Sequence, residues 1–305
     1  MREIALLTLI VSSFFSSSVA FVGDLNHKLT NNLTKYEVTT AKNTPTDTKS
    51  IIAEPTKTTV DELANAAQAV YSVDLSTNTV LNNKNSDKKL QIASLTKLMT
   101  AYTALKDLNL TKTYTVPPFA LQEGDSVAGL VAGDRLTGSD LLSAMLINSG
   151  SDAAQTIASL DAGSNASFVA KMNQNATELK LTNTHYANPV GWDDVNNYST
   201  AKDMTELSRI LLGNKEFSEI VSTKSKIITT EAGRQINLAN TNQLLPVPGY
   251  SGVKTGFTNG AGECLISLNG QGKTQVLTTV LGSGNRFGET EQITTWIRTH
   301  FVWNL

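Results

Sequence analysis

From Leu90 to Leu105 the chain reads LQIASLTKLMTAYTAL, and Lys97 is the only formally charged residue in the run. On a helix starting near Ser94, residues Leu95, Leu98, Met99, Tyr102 and Leu105 share one face; Lys97, Ala101 and Ala104 lie opposite, with Thr100 nearby. A helix without a charged face is a buried helix. The fold must therefore enclose this segment and find partners for one amine in its interior. Ser94 precedes Lys97 by three residues, so the two side chains lie over the same part of the surface. Desolvation lowers a lysine pKa, and a neutral amine beside a hydroxyl is a general base beside a nucleophile. A serine near a helix N-terminus also turns its own N–H toward a developing oxyanion. The Ser-x-x-Lys spacing alone says little. A second copy, Ser86 to Lys89, sits in the polar run NNKNSDKK and reads as solvated surface. The charge-free surroundings set the first copy apart.

The 305 residues, 40% hydrophobic and 17% charged, suffice for one large domain or two smaller ones. A net charge of -2 gives no basis for a polyanion-binding surface, so nucleic acid is not an expected partner. One cysteine and three histidines are too few for an intramolecular disulfide or a closed zinc site, and no metal is expected. Cys264, in GECLISL, reads as a buried thiol on a strand.

The first segment, MREIALLTLIVSSFFSSSVA, has Arg2, an apolar run from Ile4 to Phe15 and small residues at Ser18-Val19-Ala20. Residues 1–22 read as a secretory signal peptide or an uncleaved N-terminal anchor, which implies export and leaves a membrane contact open. Residues 23–60, rich in Thr, Asn, Lys and Pro, read as a disordered polar tether, and residues 61–305 as the folded domain. Within it, AVYSVDL and TVLNN flank a polar turn at Ser76 to Asn78 and form a hairpin. Helices follow after Ala93, at SDLLSAMLIN (Thr137 and Asp140 in capping-box spacing) and at STAKDMTELSRILL (Thr200 and Asp203 likewise). Strands return at YSGVKTGFT, ECLISLN and TQVLTTVLG. A closing helix, ETEQITTWIRTHFVW, carries Ile293, Trp296, Ile297 and Phe301 on one stripe. This order predicts an α+β fold: an antiparallel sheet of about five strands, with a helical block inserted between the N-terminal hairpin and the late strands.

Two further segments join the first motif: LINSGSDAA after the second helix and GVKTGFT on a late strand. Ser-x-x-Lys, Ser-Gly-x and Lys-Thr-Gly in that order resemble the penicillin-recognising serine enzymes. With HYANPVGWDD, STAKDM, NTNQLL and RFGETEQITTW alongside, the chain from about Ala66 to Trp303 resembles the serine D-alanyl-D-alanine carboxypeptidases. The resemblance implies a β-lactamase-like or transpeptidase-like fold and no organic cofactor. It implies a peptidoglycan stem ending in D-Ala-D-Ala as substrate, with β-lactams as covalent inhibitors. In it Ser94 matches the acyl-forming nucleophile, Lys97 its general base, and Ser149 the residue that relays a proton to the leaving group. Lys254 and Thr255 match the strand pair holding the substrate terminus; Gly256 matches the residue that leaves room for its backbone. The Phe257 N–H matches the second oxyanion donor, and Arg286 the arginine aimed at the terminal carboxylate, a role suited to a planar fork. One position departs: the family has Ser-x-Asn where this chain has Ser151. A hydroxyl is shorter than an amide and offers fewer simultaneous bonds.

Three alternatives accompany this reading. A D,D-endopeptidase uses the same residues. A class A β-lactamase adds a Glu-x-x-x-Asn element, which does not occur between Ser151 and Lys254. A peptidoglycan-binding pseudoenzyme would make Ser151 the mark of lost chemistry. A Ser-His-Asp triad finds no support: His185 opens a loop and reads as structural, and no Gly-x-Ser-x-Gly elbow is present. Asp152, Asp193 and Asp194 read as caps and turn residues, and Trp296 and Trp303 as core on the last helix.

Overall fold

The structure is a computed structural model that describes residues 53–59 and 63–304. The expected signal or anchor and most of the expected tether lie outside the described residues.

Five strands make the central sheet: β1 (Ala69–Asp74), β2 (Val80–Lys84), β3 (Tyr250–Thr258), β4 (Gly262–Asn269) and β5 (Val276–Ser283). They are ordered β3-β4-β5-β1-β2, and every neighbouring pair is antiparallel. The late strands thus join the N-terminal hairpin through β5 and β1, as the α+β reading requires. Asp74 closes that hairpin: its Oδ1 accepts from the N–H groups of Ser76 (3.0 Å) and Thr77 (2.8 Å).

Period-2 alternation divides β5 between two cores. Leu277 and Leu281 join the large core under the helical block; Val276 and Val280 join a smaller core with Val70, Ile293 and Ile297. A sheet covered on both faces needs apolar residues at successive positions, and VLTTVLGS supplies them.

Seven α-helices are described: α1 (Lys97–Asp107), α2 (Gly138–Ile147), α3 (Ser151–Ala162), α4 (Asn165–Glu178), α5 (Ala201–Leu212), α6 (Lys215–Ser222) and α7 (Arg286–His300). Segments α1 to α6 fall between β2 and β3, and α7 covers the other sheet face. A single 3₁₀ turn, Ala93–Thr96, leads into α1, whose residues from Lys97 to Ala101 are all buried.

The capping boxes form unequally. Thr137 Oγ1 accepts from the Asp140 N–H (3.1 Å) and donates to its carboxylate (2.8 Å). Thr200 Oγ1 accepts from the Asp203 N–H (3.0 Å), but Asp203 Oδ2 turns away to Asn183 N–H (3.0 Å) and Thr184 Oγ1 (2.7 Å). Two boundaries also move. The last helix starts at Arg286 and stops at His300, so Phe301 and Trp303 lie beyond it. Phe301–Val302 instead pairs with Thr56–Lys57, which carries regular structure back into the stretch expected to be tether. Trp303 Nε1 donates to Asp74 Oδ2 (2.7 Å), tying the chain's end to the hairpin turn.

Candidate active site

The turn before α1 puts Ser94 at the edge of the core. Ala93 adopts φ 48°, a left-handed conformation in which a non-glycine residue is strained. Two glycine backbones clamp the turn. A Cβ on Gly191, itself at φ 100°, would stand 2.0 Å from the Ala93 carbonyl oxygen. A Cβ on Gly256, in β3, would stand 3.0 Å from the Ile92 oxygen and 3.1 Å from the Ser94 nitrogen. Gly256 therefore gives room first to the chain's own turn, a role its place in the family motif does not disclose.

Lys97 is 1% exposed. Its Nζ lies 2.9 Å from Ser94 Oγ, 2.8 Å from the Val190 carbonyl oxygen and 3.5 Å from Ser151 Oγ. Burial pulls its pKa down to about 7, against the opposing pull of the Asp125 and Asp152 carboxylates. The expectation drawn from the charge-free helix holds: the amine is enclosed and touches the hydroxyl.

Ser149 and Ser151 come from the corner between α2 and α3. Ser149, at φ 58°, is buried and accepts from Lys254 Nζ at 2.9 Å. Lys254, on β3, also donates to the Thr255 oxygen (3.1 Å). Burial, with the Lys97 and Arg286 charges nearby, holds it well below the ordinary lysine value. Thr255 Oγ1 shares a 2.6 Å hydrogen bond with Thr241 Oγ1, in the NTNQLL segment. Arg286 opens α7 with its N–H on Glu263 Oε2 (2.8 Å) and its Nη1 on the Gly256 oxygen (2.7 Å). All nine predicted residues thus fall within one connected neighbourhood. Ser94, Ser151 and Phe257 line a cleft of about 320 Å³; Phe257 is 59% exposed at its edge.

Sequence reasoning missed several residues of the site. Asp125, in the loop LQEGDSV, accepts on Oδ1 from Ser151 Oγ (3.0 Å) and Trp192 Nε1 (2.8 Å) and on Oδ2 from the Gln122 N–H (2.7 Å). A lone acid in a loop carries no periodic signal. Gly191 and the Val190 carbonyl came with ANPVGW, where the Asn188 side chain gathers the N–H groups of Val190, Gly191 and Trp192. An Asx turn there was foreseeable; its contact with Lys97 was not.

The three aspartates read as caps and turn residues each hold backbone N–H groups, and Asp193 also lines the cleft. Asp152 accepts from the N–H groups of Ala128 (3.0 Å), Gly129 (2.8 Å), Leu130 (2.9 Å) and Ala153 (2.8 Å). Asp194 caps its own turn through the Asn196 N–H. Asp193 reaches further than a turn residue, binding Thr258 Oγ1 and the Gly260 N–H of the β3–β4 connection. His185 Nδ1 lies 2.6 Å from the Asn196 oxygen, and Cys264 is buried with its thiol pushed up to about 11. Among the described residues no group of three or more His, Cys, Asp or Glu could hold a metal ion, and no helix is long and apolar enough to cross a membrane.

A hydroxyl on a buried amine, a second hydroxyl on a buried lysine and an adjoining open cleft can support acyl transfer through a serine ester. The comparisons give this chemistry a family. The D-alanyl-D-alanine carboxypeptidase family model matches residues 56–285, and the chain belongs to that family. It is 32% identical over 239 residues to D-alanyl-D-alanine carboxypeptidase DacF of Bacillus subtilis, covering 76% of this chain and 61% of the relative. It is 37% identical over 254 residues to D-alanyl-D-alanine carboxypeptidase DacC of Escherichia coli, covering 78% and 62%. The chain thus spans a little over three-fifths of these relatives' length. The crystal structure of the Streptomyces K15 DD-transpeptidase superposes with a TM-score of 0.73 at 31% identity, covering 79% of this chain and all of that one.

Proposed function

We propose that this protein is an exported serine D,D-carboxypeptidase that removes the terminal D-alanine of peptidoglycan stem peptides and is acylated by penicillins. Ser94 Oγ gives its proton to Lys97 Nζ and attacks the carbonyl carbon of the D-Ala-D-Ala amide. The N–H groups of Ser94 and Phe257 receive the developing oxyanion. The proton taken by Lys97 passes through Ser149, itself hydrogen-bonded to Lys254, to the departing D-alanine nitrogen, which leaves Lys97 neutral again. Lys254, Thr255 and Arg286 receive the terminal carboxylate, whose negative charge favours the ammonium form of Lys254. Water then hydrolyses the ester on Ser94, with Lys97 again taking a proton. Residues 1–22 would direct export, by cleavage after Ala20 or by remaining as an anchor.

The observation that carries this reading is the buried Lys97 amine, 2.9 Å from Ser94 Oγ and with its pKa near 7. The test is labelling with a fluorescent penicillin together with assay of free D-alanine from a D-Ala-D-Ala peptide. Labelling that vanishes in Ser94→Ala, with D-alanine released by the wild type, is the expected result. Labelling that survives Ser94→Ala overturns the nucleophile assignment. Labelling without D-alanine release, but with cleavage of cross-linked peptides, marks an endopeptidase; rapid penicillin hydrolysis marks a β-lactamase. Substrate binding with neither labelling nor cleavage marks a pseudoenzyme.

A further inference from the structure

The Ser151 hydroxyl, standing where the family has an asparagine amide, raises a problem of hydrogen-bond direction. A neutral lysine amine has two N–H donors and one lone pair. Three oxygens surround Lys97 Nζ: the Val190 carbonyl, Ser94 Oγ and Ser151 Oγ. The carbonyl can only accept, and takes one N–H. Each hydroxyl can donate or accept, so the two compete for the single lone pair. If Ser151 donates, Ser94 must accept, and its proton has nowhere to go.

Asp125 decides that competition. A carboxylate only accepts, a hydroxyl has one proton, and the Ser151 hydroxyl points that proton at Asp125 Oδ1, 3.0 Å away. The Trp192 indole N–H and the Gln122 backbone N–H fix the carboxylate from two other directions. Ser151 is left with only lone pairs facing the amine. We propose that Asp125 is a positioning residue for Lys97: by holding the proton of Ser151, it turns the lone pair of Lys97 toward Ser94. Ser151 and Asp125 together then do for the amine what the carbonyl end of an asparagine amide does alone.

The inference rests on the proposed function, in which Lys97 is the base. The charges facing Lys97 are Asp125, Asp152 and Lys254. Asp152 is fixed on four backbone N–H groups, which leaves Asp125 as the carboxylate held by side chains of the cleft. Asp125→Asn keeps an oxygen for Ser151 and removes the charge; Asp125→Ala removes both.

The test is the pH profile of acylation by a fluorescent penicillin in the wild type, Asp125→Asn, Asp125→Ala, Ser151→Ala and the Ala/Ala double variant, with thermal melts in parallel. Asp125→Ala is expected to lower the high-pH plateau about tenfold, a part of the roughly 10²–10⁴-fold that a placed base contributes, because Lys97 itself remains. Asp125→Asn is expected to keep most of the plateau and to move the midpoint to lower pH, since a carboxylate that favoured the ammonium is gone. In the Ser151→Ala background, Asp125→Ala is expected to cost little more, because no competing proton remains. An unchanged profile in Asp125→Ala overturns the proposal. So does a full tenfold loss without Ser151, or an Asp125→Asn plateau as low as that of Asp125→Ala. If Asp125→Ala melts too low to assay, Asp125→Leu, which likewise offers Ser151 no acceptor but fills the space, takes its place: the same plateau loss is expected, and an unchanged plateau refutes. A wild type that is not labelled, or a labelled Ser94→Ala, would instead sink the proposed function.

Discussion

Lowering the pH through neutrality is expected to switch acylation off, and the burial of Lys97 sets where. At pH 7.5 a lysine with the ordinary value of 10.5 is neutral in about one molecule in a thousand; with its value near 7, about three-quarters of the molecules carry the free amine. Burial therefore multiplies the available base by nearly three orders of magnitude at pH 7.5. At pH 5 only about 1% remains neutral, so the rate falls roughly seventyfold from its value at pH 7.5. The assay is the second-order rate of penicillin labelling from pH 5 to 9, with circular dichroism to confirm that the fold persists. A profile flat across that range, or one still climbing steeply at pH 9, refutes the assignment of Lys97 as the base. The same shift also links to stability. The unfolded chain keeps this proton up to about pH 10.5 and the folded chain only to about 7, so stability rises with pH between the two. Lys97→Met removes that dependence. At pH 6 it is expected to be inactive yet more stable by about 2 kcal/mol, the larger desolvation gain being offset by hydrogen bonds lost at Ser94 and Val190. Urea titration checks this, and a destabilised Lys97→Met would show that burial of the amine costs little.

Gly191→Ala is expected to unfold the Ser94 turn or displace it, since the new Cβ would meet the Ala93 oxygen at 2.0 Å; loss of labelling with a melting temperature several degrees lower is the readout. Asp152→Ala strands four backbone N–H groups and is expected to destabilise by about 3 kcal/mol or more in chemical denaturation. Thr137→Ala opens the complete capping box and is expected to cost about 1 kcal/mol, with labelling rates unaltered. Ser151→Asn restores an amide and is expected to raise the acylation rate; an unchanged rate would mean that the hydroxyl with Asp125 already suffices.

The sequence made some of this legible for plain reasons. A single charge in an apolar helix has few outcomes, and Lys97 took the one in which a neighbouring hydroxyl uses it. Apolar residues at successive positions, as at Val276-Leu277 and Val280-Leu281, mark a strand covered on both faces. Capping boxes mark helix starts well because both partners lie within four residues; Asp203 shows the limit, since its carboxylate found better partners at Asn183 and Thr184 than at its own cap. Contacts made by backbone across long sequence distances left no trace. Nothing in ANPVGW says that the Val190 oxygen will meet an amine ninety-three positions earlier, and nothing in QEGDSV says that Asp125 will meet Ser151. The helix end at His300 was misplaced because aromatic residues pack equally well on a strand, and Phe301 was taken up by the Thr56–Lys57 edge.

The Ala93–Ser94 turn lies pressed between Gly191, carried by the helical layer, and Gly256, carried by the sheet. The reactive oxygen belongs to a seam, held by neither side alone. A displacement of either layer relaxes the contacts that hold the left-handed backbone of Ala93, and with it the place of the hydroxyl beside its amine. Under the proposed function, penicillin labelling is therefore expected to report how the two layers meet, which the helix and strand content alone does not.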